Sequence, residues 1–138
     1  MCNKGDIIVI YSYSDNGIVL PKHPFVVFDV EGGEISGLSF DIVALVMSSL
    51  KDEEQSKRKL SYVGNIKISP EDQIITKADG GNGQRGFLKC DQLYYFNLSK
   101  IDYKVIGSLT EDALSEVSQY VYELASKGIQ FRNIIENL

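Results

Sequence analysis

The chain has 138 residues, a hydrophobic fraction of 43% and a formal net charge of −5 at pH 7. Its length fits a single domain that buries roughly two-thirds of the surface of its unfolded chain. The acidic balance argues against a protein covered by a basic surface, so any nucleic-acid site must be a local cluster of cations.

The cysteine content and the hydropathy pattern bear on the compartment. Cys2 and Cys90 are too few for a disulfide framework in a chain of this size, and we expect free thiols in a reducing compartment. No apolar run approaches the ~20 residues of a membrane span, and no signal peptide precedes Gly5. The sequence therefore predicts a cytoplasmic protein with no membrane association.

A series of strands is predicted from runs of β-branched and aromatic residues between turn-forming residues. They cover residues 6–13, 25–30, 41–49, 60–68, 73–76, 86–97 and 104–106. Turn residues at 14–17 and a loop stiffened by Pro21 and Pro24 around His23 separate the first two strands. The charged residues 51–59 form either a solvated loop or a short surface helix.

The glycine-rich residues 79–83 are predicted to be a flexible hairpin tip beside the active groove. They do not form a P-loop, because that motif ends in Lys-Ser/Thr and opens a helix, whereas a strand follows here.

A helix is predicted near the C-terminus. Thr110 is a favourable N-cap residue, and two acidic residues in the first turn interact well with the helix dipole. The apolar stripe that would pack on the core consists of Leu114, Val117, Val121 and Leu124. Lys127 and Gly128 end the helix, and the apolar spacing of residues 130–138 predicts a short docked helix.

Lys89 and Asp91 stand out in the strand predicted at 86–97. In a continuous strand, residues two apart share a face, so these two side chains would lie side by side. They either form a small acid–base pair or contribute to a salt bridge on a solvated face. Cys90 lies between them and is expected to point into the core, so we do not expect it to be a nucleophile.

The segment Gly86-Phe87-Leu88-Lys89-Cys90-Asp91-Gln92 resembles Gly-x-Val-Arg-Cys-Asp-Gln of the Kid/PemK/MazF toxins, bacterial endoribonucleases of toxin–antitoxin pairs. Further blocks follow the order of that family. Residues 5–8 resemble its opening strand, 23–28 its Arg-Pro-Val-Leu-Val-Ile strand, and 42–49 the strand that ends in a hydroxyl residue. A turn at 107–109 leads into the final helix, so the resemblance covers roughly residues 4–127.

The resemblance implies a mainly β fold with a C-terminal α-helix, as one toxin-like domain over residues 1–138. The expected architecture is a small, strongly bent antiparallel β-barrel of the SH3-like, PemK/CcdB type. The barrel would span about residues 4–108, the helix about 110–127, and a short tail 129–138.

The resemblance also implies an activity. The protein would be a sequence-specific endoribonuclease that cleaves single-stranded mRNA through a 2′,3′-cyclic phosphate. Such a toxin of a type II pair acts as a homodimer with RNA grooves near the dimer surface, which a cognate antitoxin protein blocks. No cofactor and no metal are expected, since no Cys/His spacing suits zinc and no carboxylate cluster suits magnesium. Two rivals remain, namely a non-catalytic CcdB-like toxin that inhibits DNA gyrase by protein–protein binding, and an inactive family member.

Metal-independent RNA cleavage requires a base for the 2′-hydroxyl, cations for the phosphorus centre and an acid for the leaving 5′-oxygen. The resemblance assigns the base to Asp91. It places Lys89 where the family has an arginine that serves as acid and phosphate clamp. Lysine is a point charge and not a bidentate fork, so the exchange is not conservative.

The remaining candidates come from loops and strand ends. His23 is either structural or a proton-transfer or phosphate-binding residue, since an imidazole titrates near pH ~6.5. Ser48 takes the place of a threonine that contacts the reacting phosphate, and Ser49 competes for that place if the alignment slips by one residue. The other RNA-binding candidates are Lys22, Lys77 and Arg85, which are either phosphate contacts or solvated charges.

Overall fold

The computed structural model describes residues 2–138 and consists mainly of β-strands, with two α-helices. The strands are β1 (Asp6–Asp15), β2 (Ile18–Asp29), β3 (Gly33–Ile35), β4 (Leu38–Phe40), β5 (Ile42–Ser49), β6 (Asn65–Ile68), β7 (Gln73–Ile75), β8 (Gly86–Lys89), β9 (Gln92–Phe96), β10 (Tyr103–Leu109) and β11 (Arg132–Ile134). The helices are α1 (Glu53–Leu60) and α2 (Glu111–Ser126), and single 3₁₀ turns lie at Pro70–Asp72 and Leu98–Lys100. The predicted mainly β class with a C-terminal helix is confirmed.

The main sheet has the strand order β11-β9-β5-β2-β1-β10-β7, which leaves two free ends. Its pairs are antiparallel except for the parallel pair of β11 and β9. β5 is the branch point, because its first half pairs with β9 and its last residues pair with β8, which in turn pairs with β6. Every residue of β5 from Ile42 to Met47 is buried, as expected for a strand in the middle of a sheet.

The hydrophobic core lies in two clusters, because alternate residues of a strand point to opposite faces. One cluster contains Ile7, Val9, Val26, Leu45, Met47, Leu88, Cys90 and Ile106 and is covered by α2. The other contains Ile8, Ile10, Tyr13, Phe25, Ala44, Val46, Tyr94 and Phe96. Within residues 2–138, neither helix has the length and apolar composition needed to cross a membrane.

α2 agrees with its sequence prediction. The Thr110 hydroxyl accepts a hydrogen bond of 3.2 Å from the Ala113 N–H, which satisfies one of the free donors at the helix start. Val117, Val121 and Leu124 are buried against the sheet, while Leu114 packs at the edge of the same cluster. Gly128 follows the helix with φ +76, the left-handed geometry typical of a glycine that ends a helix.

β2 departs from the prediction, because it runs unbroken from Ile18 to Asp29 and places His23 within a strand. The predicted loop around His23 is therefore wrong. A two-residue turn at Asn16 and Gly17, with φ of 53° and 77°, returns the chain directly to β1. β2 pairs with β5 only from Phe25 onwards, so its earlier part forms an edge, where prolines are tolerated.

The single strand predicted at 86–97 is also wrong, since a turn at Cys90 and Asp91 divides it into β8 and β9. The break arises because β8 and β9 pair with different halves of β5. Residues 60–68 are likewise not one strand, because Leu60 ends α1 and β6 starts only at Asn65. The surface-helix alternative for the charged run is confirmed by α1.

The C-terminal tail forms a strand and not the predicted helix. β11 pairs in parallel with β9, and the following residues hold the β1–β2 turn. The Glu136 carboxylate accepts hydrogen bonds from the Asn16 and Gly17 N–H groups at 2.5 and 2.9 Å. The Arg132 guanidinium forms an ion pair with Asp15. The hairpin β3–β4 was also not predicted from the sequence.

Candidate functional site

A small enclosed pocket lies where β2, the end of β5 and the start of β8 meet, and we call it the His23 pocket. Its volume is about 60 Å³. The chemically relevant residues that line it are His23, Ser48, Ser49, Gly80, Gly81 and Arg85. Four of these, the histidine, both serines and the arginine, are site residues predicted from the sequence. They come from three segments that are far apart along the chain.

His23 is half-buried, and its Nε2 atom is buried without a hydrogen-bond partner in residues 2–138. Burial lowers the pKa of the His23 imidazole below its ordinary value, because a charged ring is poorly solvated there. A backbone hydrogen bond with Met47 opposes this effect, and the positive charge of Lys89 adds to it. The lowered pKa favours the uncharged ring at neutral pH.

The pairing of β5 with β8 positions the backbone of Ser48 and Ser49 and brings the backbone of Arg85 beside them. Ser48 lies opposite Phe87 and Ser49 opposite Gly86 in the register of the two strands. A Cβ atom at Gly86 would collide with the Ser48 carbonyl oxygen, so only glycine permits this close approach. The Leu50 N–H donates a 3.0 Å hydrogen bond to the Arg85 carbonyl, which fixes the arginine backbone beside the end of β5.

The glycine-rich loop forms one wall of the pocket. Hydrogen bonds from buried side chains hold it in place. The buried Asn82 side chain donates to the Lys77 carbonyl at 2.9 Å and accepts from the Asp79 N–H at 2.8 Å. The Gln73 side chain accepts from the Gly83 N–H at 2.7 Å. The loop connects β7 to β8, which do not pair, so the predicted hairpin tip is wrong.

Lys22 and Lys77 lie near this wall and not in the pocket lining. The Lys22 ammonium forms a 2.7 Å ion pair with Asp79, and the hydrogen bond raises the pKa of Lys22 and lowers that of Asp79. Lys22 therefore already has a carboxylate partner. Lys77 is exposed at the start of the glycine-rich loop.

A second, more open pocket of about 220 Å³ contains both Lys89 and Asp91, and we call it the Lys89–Asp91 pocket. It is also lined by Lys59, Tyr62, Val63 and Asn65. Among residues 2–138, neither Lys89 nor Asp91 takes part in an ion pair, so the salt-bridge interpretation is wrong. The turn at 90–91, and not a shared strand face, brings the two side chains to one pocket.

Cys90, between them, is fully buried in the core as predicted. Burial raises the pKa of its thiol to about 12, which leaves it protonated and a poor nucleophile.

Six of the eight predicted site residues thus divide between two places, and Lys22 and Lys77 lie in neither. His23, Ser48, Ser49 and Arg85 meet in one pocket, and Lys89 and Asp91 meet in the other. Lys89 links them electrostatically, since its charge acts on His23. Sequence reasoning missed Tyr62, Lys59 and Asn65, because no motif or apolar periodicity in the sequence marks them.

Within residues 2–138, no three His, Cys, Asp or Glu side chains lie together in a way that could hold a metal ion. The chain matches no protein-family model and no curated protein. The chemistry open to the two pockets is that of an imidazole, hydroxyls, cations and a carboxylate.

Proposed function

We propose that this protein is a metal-independent endoribonuclease that cleaves single-stranded RNA through a 2′,3′-cyclic phosphate, as a toxin of a type II toxin–antitoxin pair. The observation that supports this most directly is the His23 pocket. It is lined by His23, whose Nε2 has no hydrogen-bond partner among residues 2–138, and by Ser48, Ser49 and Arg85. These are the groups that transfer protons and stabilise a phosphorane without a metal.

In the proposed reaction, His23 Nε2 removes the proton from the ribose 2′-hydroxyl. The 2′-oxygen attacks phosphorus, and the bond from phosphorus to the 5′-oxygen breaks. One of the two neighbouring hydroxyls, that of Ser48 or that of Ser49, donates a hydrogen bond to a non-bridging oxygen, and the charge of Arg85 stabilises the negative charge on these oxygens. Lys89, whose charge reaches the pocket, is the group to which the resemblance assigns protonation of the leaving oxygen.

The size of the pocket fits this assignment. A volume of about 60 Å³ has room for about two water-sized groups, which suits phosphate oxygens but not a whole nucleotide. The bases must then lie outside it, along the surface that leads to the Lys89–Asp91 pocket.

The resemblance names a different base, Asp91, which lines the neighbouring pocket. We favour His23, because its Nε2 has no hydrogen-bond partner among residues 2–138 and the residue lines one pocket with Ser48, Ser49 and Arg85. Substituting each residue in turn separates the two assignments. Only loss of the residue that acts as the base removes the rising limb of the pH–rate profile.

The proposal includes the finer architecture and the biological setting that the resemblance implies. The bent antiparallel sheet would be an SH3-like barrel of the PemK/CcdB type. The protein would be a cytoplasmic homodimer inhibited by a cognate antitoxin.

A CcdB-like inhibitor of DNA gyrase is the second candidate. The net charge of −5 and the exposed Ile18 and Val19, at 60% and 71%, favour a protein-binding surface.

Both candidates are tested by incubating the purified protein with a long RNA in EDTA, and in parallel with gyrase and relaxed plasmid. The proposed function predicts RNA fragments with cyclic-phosphate ends and unaffected supercoiling. Intact RNA together with inhibited supercoiling would support the gyrase candidate and contradict the nuclease. If the RNA stays intact and supercoiling is unaffected, both candidates are contradicted. The remaining interpretation is then an inactive relative of the toxins.

A further inference from the structure

We propose that the Lys89–Asp91 pocket binds a base of the RNA, with guanine preferred, at a nucleotide next to the scissile phosphate. This inference rests on the proposed function and gives it a sequence preference. It also assigns to Asp91 a role in recognition in place of the base role that the resemblance implies.

An exposed aromatic side chain lines the pocket, on a turn that is held by hydrogen bonds. Tyr62 lines the pocket, and 53% of this large side chain is exposed to solvent. The turn that carries it is fixed by the Gly64 N–H, which donates to the Tyr120 hydroxyl of α2 at 3.0 Å. The Gly64 carbonyl accepts from the Cys90 N–H at 2.7 Å. A fixed, exposed ring is a stacking surface for a nucleobase.

The carboxylate of Asp91 is held against the same turn. Gly64 has φ +99, and a Cβ atom there would lie 2.5 Å from Asp91 Cγ, so the glycine makes room for the acid. The Asp91 carbonyl accepts a 2.9 Å hydrogen bond from the Arg132 N–H, which anchors the turn from the other side. The carboxylate oxygens have no hydrogen-bond or ion-pair partner in residues 2–138, so they are available to a ligand.

The chemistry of a carboxylate selects among the bases. An ionised carboxylate only accepts hydrogen bonds, and it has two oxygens side by side. Guanine presents two adjacent donors on its Watson–Crick edge, the N1–H and the 2-amino group, which match those oxygens. Adenine and cytosine place an acceptor next to their amino group, and uracil has no amino group. Guanine is therefore the base that this pocket fits best.

The surrounding charges place the base within an RNA strand. Lys59 and Lys89 line the same pocket as the carboxylate and supply cations for the phosphates next to the bound nucleotide. The short strand β8 joins this pocket to the site where we place the reacting phosphate, because Gly86 at its start lines the His23 pocket and Lys89 at its end lines this one. The volume of about 220 Å³ exceeds that of the His23 pocket and admits a planar base.

The inference is tested by binding, with His23→Ala in the background so that RNA stays intact. Fluorescent oligouridylates carry one central guanosine, inosine or adenosine, and their dissociation constants are measured at low salt. We expect guanosine to bind most tightly and inosine, which lacks the 2-amino group, more weakly. Tyr62→Ala should weaken guanosine binding about ten-fold or more, and Tyr62→Phe should preserve it. Asp91→Asn should reduce the difference between guanosine and inosine.

Tyr122 of α2 is 77% exposed outside both pockets, so Tyr122→Ala is the matched control and should bind as the background protein does. Equal binding of the three oligonucleotides, or equal behaviour of Tyr62→Ala and Tyr122→Ala, would overturn the inference. So would the absence of any oligonucleotide binding.

Sequencing of the RNA ends produced by the unmodified protein separates this inference from the proposed function. Guanosine-selective binding without cleavage would overturn the nuclease and leave the base site standing. Cleavage with no guanosine preference in binding would overturn the base site alone.

Discussion

The two pockets differ in enclosure, and that difference suggests a division of labour between them. The His23 pocket holds about 60 Å³ between three chain segments, and its burial keeps an imidazole uncharged. The Lys89–Asp91 pocket is larger, is formed around two turns and contains a cation and an acid that have no ion-pair partner among residues 2–138. Burial in an enclosed pocket shifts the pKa of a group that transfers protons. An open, charged surface suits recognition of a ligand.

The strongest test of this comparison is His23→Ala. If His23 is the general base, the substitution should lower the rate of RNA cleavage by on the order of 10²–10⁴-fold while the fold is retained. The rate is measured in EDTA on a defined RNA, with circular dichroism as the check on folding. If His23→Arg restores the rate, the residue acts only as a cation on the phosphate.

Substitution of Lys89 tests whether its charge affects the reaction in the His23 pocket. Lys89→Ala should weaken cleavage markedly, by about ten-fold or more, because a cation near the phosphate is lost. Lys89→Arg should retain or raise activity, since it supplies the bidentate fork found in the toxins that the sequence resembles. Equal impairment of both variants would show that Lys89 acts structurally.

Arg85 tests whether phosphate enters the enclosed pocket. The logarithm of the RNA association constant falls linearly with the logarithm of salt concentration, and each phosphate contact on a single strand contributes about −0.7 to that slope. Arg85→Ala should therefore flatten the slope by about 0.7. Lys127→Ala, at the far end of α2, should not change it.

Tyr120 tests the support of the open pocket. Tyr120→Phe removes the hydroxyl that accepts from the Gly64 N–H, and it should lower the free energy of unfolding by about 1 kcal/mol. Tyr122→Phe on the same helix is the control and should leave stability unchanged, because that side chain is 77% exposed. Urea titrations of the three proteins measure the difference. Equal stabilities would show that this hydrogen bond contributes nothing to the turn.

The elements that the sequence predicts well are those determined by local patterns. α2 follows from an N-cap at Thr110, a 3.6-residue apolar stripe and a terminal glycine. β5 follows from a continuous apolar run. β2 was missed in part because prolines are unfavourable in a paired strand, and only the partner strands show that this part of β2 is an edge.

The site depends on non-local pairing, which limits its prediction. His23, Ser48 and Arg85 could be named singly, but they meet only because β5 pairs with β2 on one side and β8 on the other. Lys89 and Asp91 were predicted to share a strand face, whereas a turn brings them together. Tyr62 was missed because an exposed ring after a charged helix has no apolar periodicity that marks it.

The most direct test of the central claim, that His23 is the base of a metal-independent ribonuclease, is a pH–rate profile in EDTA. Burial lowers the pKa of His23, so the active neutral form predominates above a midpoint below the usual ~6.5. The rate should rise with pH through that midpoint and then level off, and His23→Ala should abolish the rise. An identical profile for the unmodified protein and His23→Ala would contradict the claim.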